Sequence, residues 1–278
     1  LCNILAIDII CDDLTKAGVV FRTHMTSNGY FLDGALAERA VKRWHMTSVQ
    51  ITLDGTEKIY NQTKAYMQCE ESAFERVLRN IDSALSVGIR VNIRMNMDAR
   101  NADDLMDLAD VLVQRFPHRK NLAAYPVLLM EFVGKIHGFS SQEETIERYT
   151  LLEQKLQNAG MSREYVLQRE ISVNRCMADN DGCEVILPDG RNGKCEHFSE
   201  TEIVGSIYDD ARDEALIHAW KQRIAPFPEC KDCALYPRCI NLERCDWTKD
   251  GCPLFVRHIR IKRMEELIRK AYRKERRE

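Results

Sequence analysis

The chain has 278 residues, 45% hydrophobic and 30% charged, with a formal net charge of -3, which suits a globular protein of one large domain or two smaller ones. No run of about 18 apolar residues appears, which argues against a membrane span. No positively charged start followed by an apolar stretch and a small-residue cleavage site appears either, and the first residue is Leu1 rather than Met, so targeting is left open.

In chain order, residues 4–16 read as a helix that stops before Gly18, and residues 19–28 alternate apolar and polar as a strand does. Leu36, Ala40, Val41 and Trp44 mark the next helix, and residues 49–54 alternate again. Ser72 followed by Glu75 is a capping-box signature. It opens a helix with Phe74, Val77, Leu78, Ile81 and Leu85 on one stripe and Gly88 after its end. Residues 91–98 form a third alternating run. Asn101 is expected to cap a helix carrying Leu105, Leu108 and Leu112, stopped near Pro117. A mostly apolar run spans Leu122 to Val133, and a last helix runs from about Ser141 to Ala159, closed by Gly160. Strands alternating with helices at this spacing predict an α/β fold of right-handed βαβ units with a parallel sheet.

Parallel strands covered on both faces usually read as continuous apolar runs. Here one face is polar: His24, Thr26 and Asn28, then Gln50, Thr52 and Asp54, then Asn92, Arg94 and Asn96. Val49, Ile51, Leu53, Val91, Ile93 and Met95 would pack under helices on the other. A sheet curled into a partial barrel with a polar, ligand-filled interior explains the pattern; a mixed sheet with one solvated face is the alternative. In α/β barrels the chemistry sits at the C-terminal strand ends, which places Asn28, Asp54 and Asn96 near it.

Eight of the eleven cysteines fall between Cys176 and Cys252. Eight thiols make two sets of four, as two tetrahedral metal sites or two iron–sulfur clusters require. Cys183 and Cys195 flank a short hairpin with Pro188, Asp189 and Gly190 in its turn. Cys230 and Cys233 form a CxxC, and Cys239, Cys245 and Cys252 follow. Spacing alone leaves zinc and iron–sulfur open. A secreted disulfide framework fits less well, because the chain before Cys176 can build a core without staples. A reducing cytoplasm is the expected setting.

These residues resemble radical S-adenosylmethionine enzymes with a C-terminal SPASM extension. The resemblance rests on Cys183, Gly190 and Cys195, the Cys230–Cys233–Cys239 run, Cys245 and Cys252, all in the family's order; the five-residue gap from Cys239 to Cys245 is longer than the family's usual three. TSNGYFLD at 26–33, VQITLDGTEKIYN at 49–61 and IRMNMDARN at 93–101 look like the third, fourth and fifth barrel strands. The family's CxxxCxxC loop has no match, since Cys2, Cys11 and Cys69 cannot form it. The chain is thus expected to open in the helix after the second strand, and not to cleave S-adenosylmethionine by itself. The implied organisation is a partial barrel over 1–160, a SPASM domain over 161–255 and a basic helix over 256–278.

The resemblance implies two auxiliary [4Fe-4S] clusters, one on Cys176, Cys183, Cys195 and Cys245 and one on Cys230, Cys233, Cys239 and Cys252. The intact enzyme would add S-adenosylmethionine and a third [4Fe-4S] cluster. Thr52 and Lys64 match residues that touch S-adenosylmethionine, Lys64 replacing an Arg and losing its planar fork; Leu128 is a further match. Glu196 occupies the place of a catalytic Asp base. The implied activity is hydrogen abstraction from a peptide or protein side chain by a 5′-deoxyadenosyl radical, with a flavodoxin or ferredoxin as electron donor and no membrane partner. The rival is a non-catalytic, zinc-stabilised binding module, supported by ten Lys/Arg against four Glu over 257–278. A basic helix can bind nucleic acid, but Glu265, Glu266, Arg269 and Lys270 pair at helical spacing, as in a solvated terminal helix.

Overall fold

The computed structural model describes residues 3–66, 71–117, 120–129, 138–162, 176–197, 201–236, 242–245 and 254–275. The chain divides into two compact units, Leu1–Met130 with Ile136–Glu164, and Glu131–Lys135 with Tyr165–Glu278.

The first unit runs α1 (Ile4–Lys16), β1 (Thr23–Ser27), α2 (Gly34–Trp44), β2 (Met46–Thr52), α3 (Glu57–Lys64), α4 (Ala73–Ser86), β3 (Arg90–Met97), α5 (Ala102–Arg115), β4 (Leu122–Leu128) and α6 (Gln142–Asn158). The strands form one sheet in the order β1-β2-β3-β4, every pair parallel. The sheet is therefore not mixed, which removes that part of the alternative reading. Val49, Ile51, Leu53, Val91, Ile93 and Met95 are fully buried, as the alternation requires. α2 packs on β2, α4 and α5 on β3, and α6 on β4. Burying each large apolar side chain contributes about 1.5–3 kcal/mol before conformational entropy is counted.

Helix starts follow local chemistry. Asn3, Asp33, Ser72 and Ser141 each accept a backbone N–H three residues on, satisfying one of the amides a helix start leaves unpaired. α1 is anchored on α2 by buried Asp8, which accepts from Arg39 Nε (3.1 Å) and Trp44 Nε1 (2.8 Å) and pairs with Arg43 Nη1 (3.0 Å).

Several expectations shift. The first strand is shorter than 19–28, for Val19 and Val20 are 47% and 98% exposed: alternation there meets no neighbouring chain. β2 begins earlier than residue 49, at Met46. β4 ends at Leu128, and residues 130–133 of the apolar run lie outside the described residues. α3 is a helix the periodicity does not announce, since Tyr60 is its only buried residue.

The second unit holds a three-stranded antiparallel sheet of β5 (Val185–Ile186), β6 (Arg191–Gly193) and β7 (Ile203–Ser206), with α7 (Glu214–Ala219), α8 (Leu254–Glu275) and 3-10 turns at Met177–Asp179 and Pro228–Cys230. The hairpin turn closes through Gly190 N–H to Leu187 O (2.9 Å), with Gly190 at φ +85°. A Cβ at Gly190 would stand 2.5 Å from the Tyr208 ring, so both conformation and space require glycine there. Ala178, Trp220 and Leu242 form a small core. Among the described residues no helix is long and apolar enough to cross a membrane.

Candidate functional site

The pleat sorts the first unit's sheet into two faces. Register aligns Thr26, Gln50, Asn92 and Ala123 in one row and Thr52, Arg94 and Tyr125 in the next. The polar face expected from sequence is thus continuous across the strands, and its side chains are half-buried or exposed except Asp54 and Asn92. Tyr125 OH donates to Gln50 Oε1, and His24 Nδ1 lies 2.7 Å from Ser48 Oγ. Arg94 Nε donates to Asn96 Oδ1 (2.8 Å), and among the described residues no carboxylate pairs with its guanidinium.

At the C-terminal strand ends the loops are stitched together. Asp54 Oδ1 accepts from Asn96 N (3.3 Å), and Lys64 Nζ reaches Asp54 Oδ2 at 2.8 Å. Asn101 does not cap α5 with its side chain, as sequence suggested. Its Nδ2 instead donates to Asp54 O (2.9 Å) and Asn96 O (2.8 Å), while its Oδ1 accepts from Asp98 N (2.9 Å). The competing use wins because three backbone groups at the strand ends need partners. Asp104 of α5 caps α3 from afar, accepting from Thr56 N and Thr56 Oγ1, both at 2.6 Å.

Thr52 closes β2, half-buried on the polar face opposite Arg94. Lys64 ends α3 and is tied to the same strand end through Asp54. Leu128 is not brought to them: its register partner is Met97, so its buried side chain stands on the helix-covered face, and only its backbone shares the C-terminal edge. Asn28 is exposed and accepts from Tyr30 N (3.1 Å). Beside it, Tyr30 stacks on Tyr66 (4.6 Å between centroids) with the Arg76 guanidinium 4.3 Å over the Tyr30 ring, a cluster that sequence reading missed.

In the second unit β5 and β6 pair Val185 with Gly193 and Ile186 with Asn192, and Cys183 and Cys195 each lie two residues beyond the paired end of the hairpin. Cys195 and Cys245 pack against the Ala178–Trp220–Leu242 core. Cys176 precedes Ala178 by two residues, and its sulfur accepts the N–H of Asp179, whose carboxylate accepts Cys176 N (3.0 Å). Two thiols, those of Cys195 and Cys245, therefore share one small core. Cys230 and Cys233 share a tight turn, Cys233 N–H to Cys230 O at 3.2 Å. Cys239 and Cys252 lie outside the described residues. Among the described residues no three His, Cys, Asp or Glu side chains converge as a site for a single metal ion. Thiolates are the donors that iron–sulfur clusters take, so the residues present fit that chemistry. Glu196 is exposed, with His197 Nε2 at 3.7 Å from Oε1.

No protein-family model and no curated protein matches the chain. Solved structures do. At 12–16% identity these matches show a shared fold, in line with the α/β parallel-sheet architecture expected from sequence. Among the matches are anSMEcpe with bound AdoMet and Cp18Cys peptide, at 16% identity and a TM-score of 0.59 over 84% of this chain and 70% of that one. Streptococcus suis SuiB bound to S-adenosylmethionine matches at 13% identity and a TM-score of 0.55 over 88% of this chain. SuiB bound to precursor peptide SuiA matches at 12% and 0.54. The chain spans 58% of the S-adenosylmethionine-bound SuiB chain.

Proposed function

We propose that this chain is part of a radical S-adenosylmethionine enzyme that modifies a peptide or protein. The observation that supports the reading is the shared fold with structures holding AdoMet and peptides, on a chain whose second unit packs Cys195 and Cys245 on one core. In such enzymes S-adenosylmethionine supplies the hydrogen-abstracting radical, and auxiliary [4Fe-4S] clusters serve as further electron carriers.

The residues of this chain take the following parts. Thr52 and Lys64 contact S-adenosylmethionine at the C-terminal ends of the strands, Lys64 being held there by Asp54. Leu128 contributes through its backbone at the same edge. Cys176, Cys183, Cys195 and Cys245 hold one auxiliary cluster, and Cys230, Cys233, Cys239 and Cys252 the other. Glu196 takes a proton from the substrate. A flavodoxin or ferredoxin delivers electrons, and the protein works in the cytoplasm. The domain division is the one expected from sequence, with the barrel part over 1–160, the cluster domain over 161–255 and the basic helix over 256–278.

Anaerobic reconstitution with iron and sulfide tests the reading. We expect about eight irons per chain and a broad absorbance near roughly 400 nm, the mark of two cubane clusters. A colourless protein that retains only zinc refutes it.

A further inference from the structure

Helix α8 has two different sides. Ile259 is 5% exposed and marks the side turned into the protein. Ile268 follows nine residues later, about two and a half turns at 3.6 residues per turn, so it points away from that side. It is 56% exposed, and Tyr272, one turn further, is 54% exposed. Ile261 and Met264, both half-buried, continue the stripe at the i, i+3, i+7 and i+11 spacing of one helix face. Lys262, Arg269 and Arg273 run along one border of the stripe, and Arg260 lies on the other. Among the described residues these four cations make no ion pair, with Glu265 or any other acid. Residues 257–278 hold ten Lys/Arg against four Glu, whereas the rest of the chain holds thirty Lys/Arg against thirty-nine Asp/Glu. Positive charge is therefore concentrated on this helix, and a negative surface is attracted there and repelled elsewhere.

A partner must answer both features, since exposed apolar side chains are unfavourable in water and the cations favour an anionic neighbour. A nucleic-acid backbone uses the charge and leaves Ile268 and Tyr272 wet. A second copy laid on the same stripe brings two basic helices together, against their mutual repulsion. An anionic bilayer surface takes both, with apolar side chains at the acyl boundary and flanking cations among the lipid headgroups. We infer that α8 is a peripheral docking helix for an anionic lipid bilayer, lying in its plane with Ile268 and Tyr272 inward. No described helix is long and apolar enough to cross, so the contact is superficial and reversible. It goes beyond the radical-enzyme reading and needs no iron.

The test is co-sedimentation of the full chain with vesicles of phosphatidylcholine alone, and of phosphatidylcholine with about a quarter phosphatidylserine. Wild type should pellet with the anionic vesicles only and be released as salt rises from about 0.1 M to about 0.5 M. Each cation near an anionic surface strengthens partitioning about fivefold, so a triple variant with Lys262→Gln, Arg269→Gln and Arg273→Gln should bind about a hundredfold less. Ile268→Ser with Tyr272→Ser keeps every charge and should bind about tenfold less. A thermal melt matching wild type separates lost binding from lost fold, and Ile268→Ser alone replaces the double variant if that one melts early. No binding to anionic vesicles overturns the inference, and so does a serine variant that binds like wild type. Salt-dependent binding to a single-stranded oligonucleotide, with none to vesicles, assigns the helix to nucleic acid and overturns it. A dimeric mass lost in the serine variant assigns the stripe to a second copy and also overturns it. Iron content is read separately, so failure here leaves the cluster reading standing.

Discussion

Gly55 offers a quantitative test of how the strand ends are built. It sits between Asp54 and Thr56 and is buried. A methyl at this position would stand 2.4 Å from Asp104 Oδ2 and 2.6 Å from Ile59 Cγ2. Its backbone is outside the left-handed region, so the effect of Gly55→Ala is steric. To make room, Asp104 must abandon its bonds to Thr56 N and Oγ1, each to a charged acceptor and worth about 1.5–3 kcal/mol. Both sites are half-buried, so the low end applies and the pair loses about 3 kcal/mol. Shifting Ile59 adds about 1 kcal/mol. Gly55→Ala should therefore cost about 3–4 kcal/mol in urea unfolding, and Asp104→Ala about 3 kcal/mol. In the double variant the bonds are already gone, so the total should fall short of the sum by about 3 kcal/mol. Additivity within about 0.5 kcal/mol, or a single cost below about 1 kcal/mol, would refute the reasoning.

Three further outcomes follow from named contacts. The Arg39 hydrogen bond, with Trp44 and the charge of Arg43 adding, holds the Asp8 carboxyl down at about 2 against the opposing effect of burial. Because the folded value lies below the ordinary 3.8, this stabilisation is present above about pH 4 and is lost as pH falls through about 2. Urea midpoints of wild type should drop over that window, and those of Asp8→Asn should drop less; equal slopes would refute it. Leu128→Ala should cost about 2–5 kcal/mol through its cavity and leave S-adenosylmethionine affinity unchanged, whereas Thr52→Val should weaken that binding with little loss of stability. Calorimetry and unfolding on both variants check the assignment of faces. Trp220→Ala should cost about 3–5 kcal/mol and reduce iron uptake on reconstitution, since Cys195 and Cys245 pack on the core that this ring fills; full iron content in the folded variant would count against the shared core.

Much of the first unit is legible because its signals are local. Residues 4–16 and the Ser72 start are read correctly, one from a periodic stripe and a following glycine, the other from a side chain that must cap. The two-faced sheet is legible because the pleat fixes parity. What escapes depends on distant partners. α3 has eight residues, one of them buried, and its cap comes from Asp104 in another helix, so no local window holds its signal. Asn101 carries the same letter whether it caps a helix or bridges two strand ends. Leu128 is placed correctly along the strand, and its parity emerges only from the register with Met97. Lys194, a lysine in a short hairpin, reads as solvated; its burial depends on the turn at Asn180–Cys183 folding over it.

The shared core of the thiols also sets a timetable for synthesis. The β5–β6 hairpin that leads to Cys195 is complete once Cys195 is made, but Cys245 comes fifty residues later and packs on the same core. At about 5–20 residues per second, Cys195 waits roughly 3–10 seconds for that partner. During this interval the core on which Cys195 packs still lacks Leu242 and Cys245. The second unit's small core therefore closes only when the chain is nearly finished, so a chain cut short before Leu242 should leave Trp220 exposed.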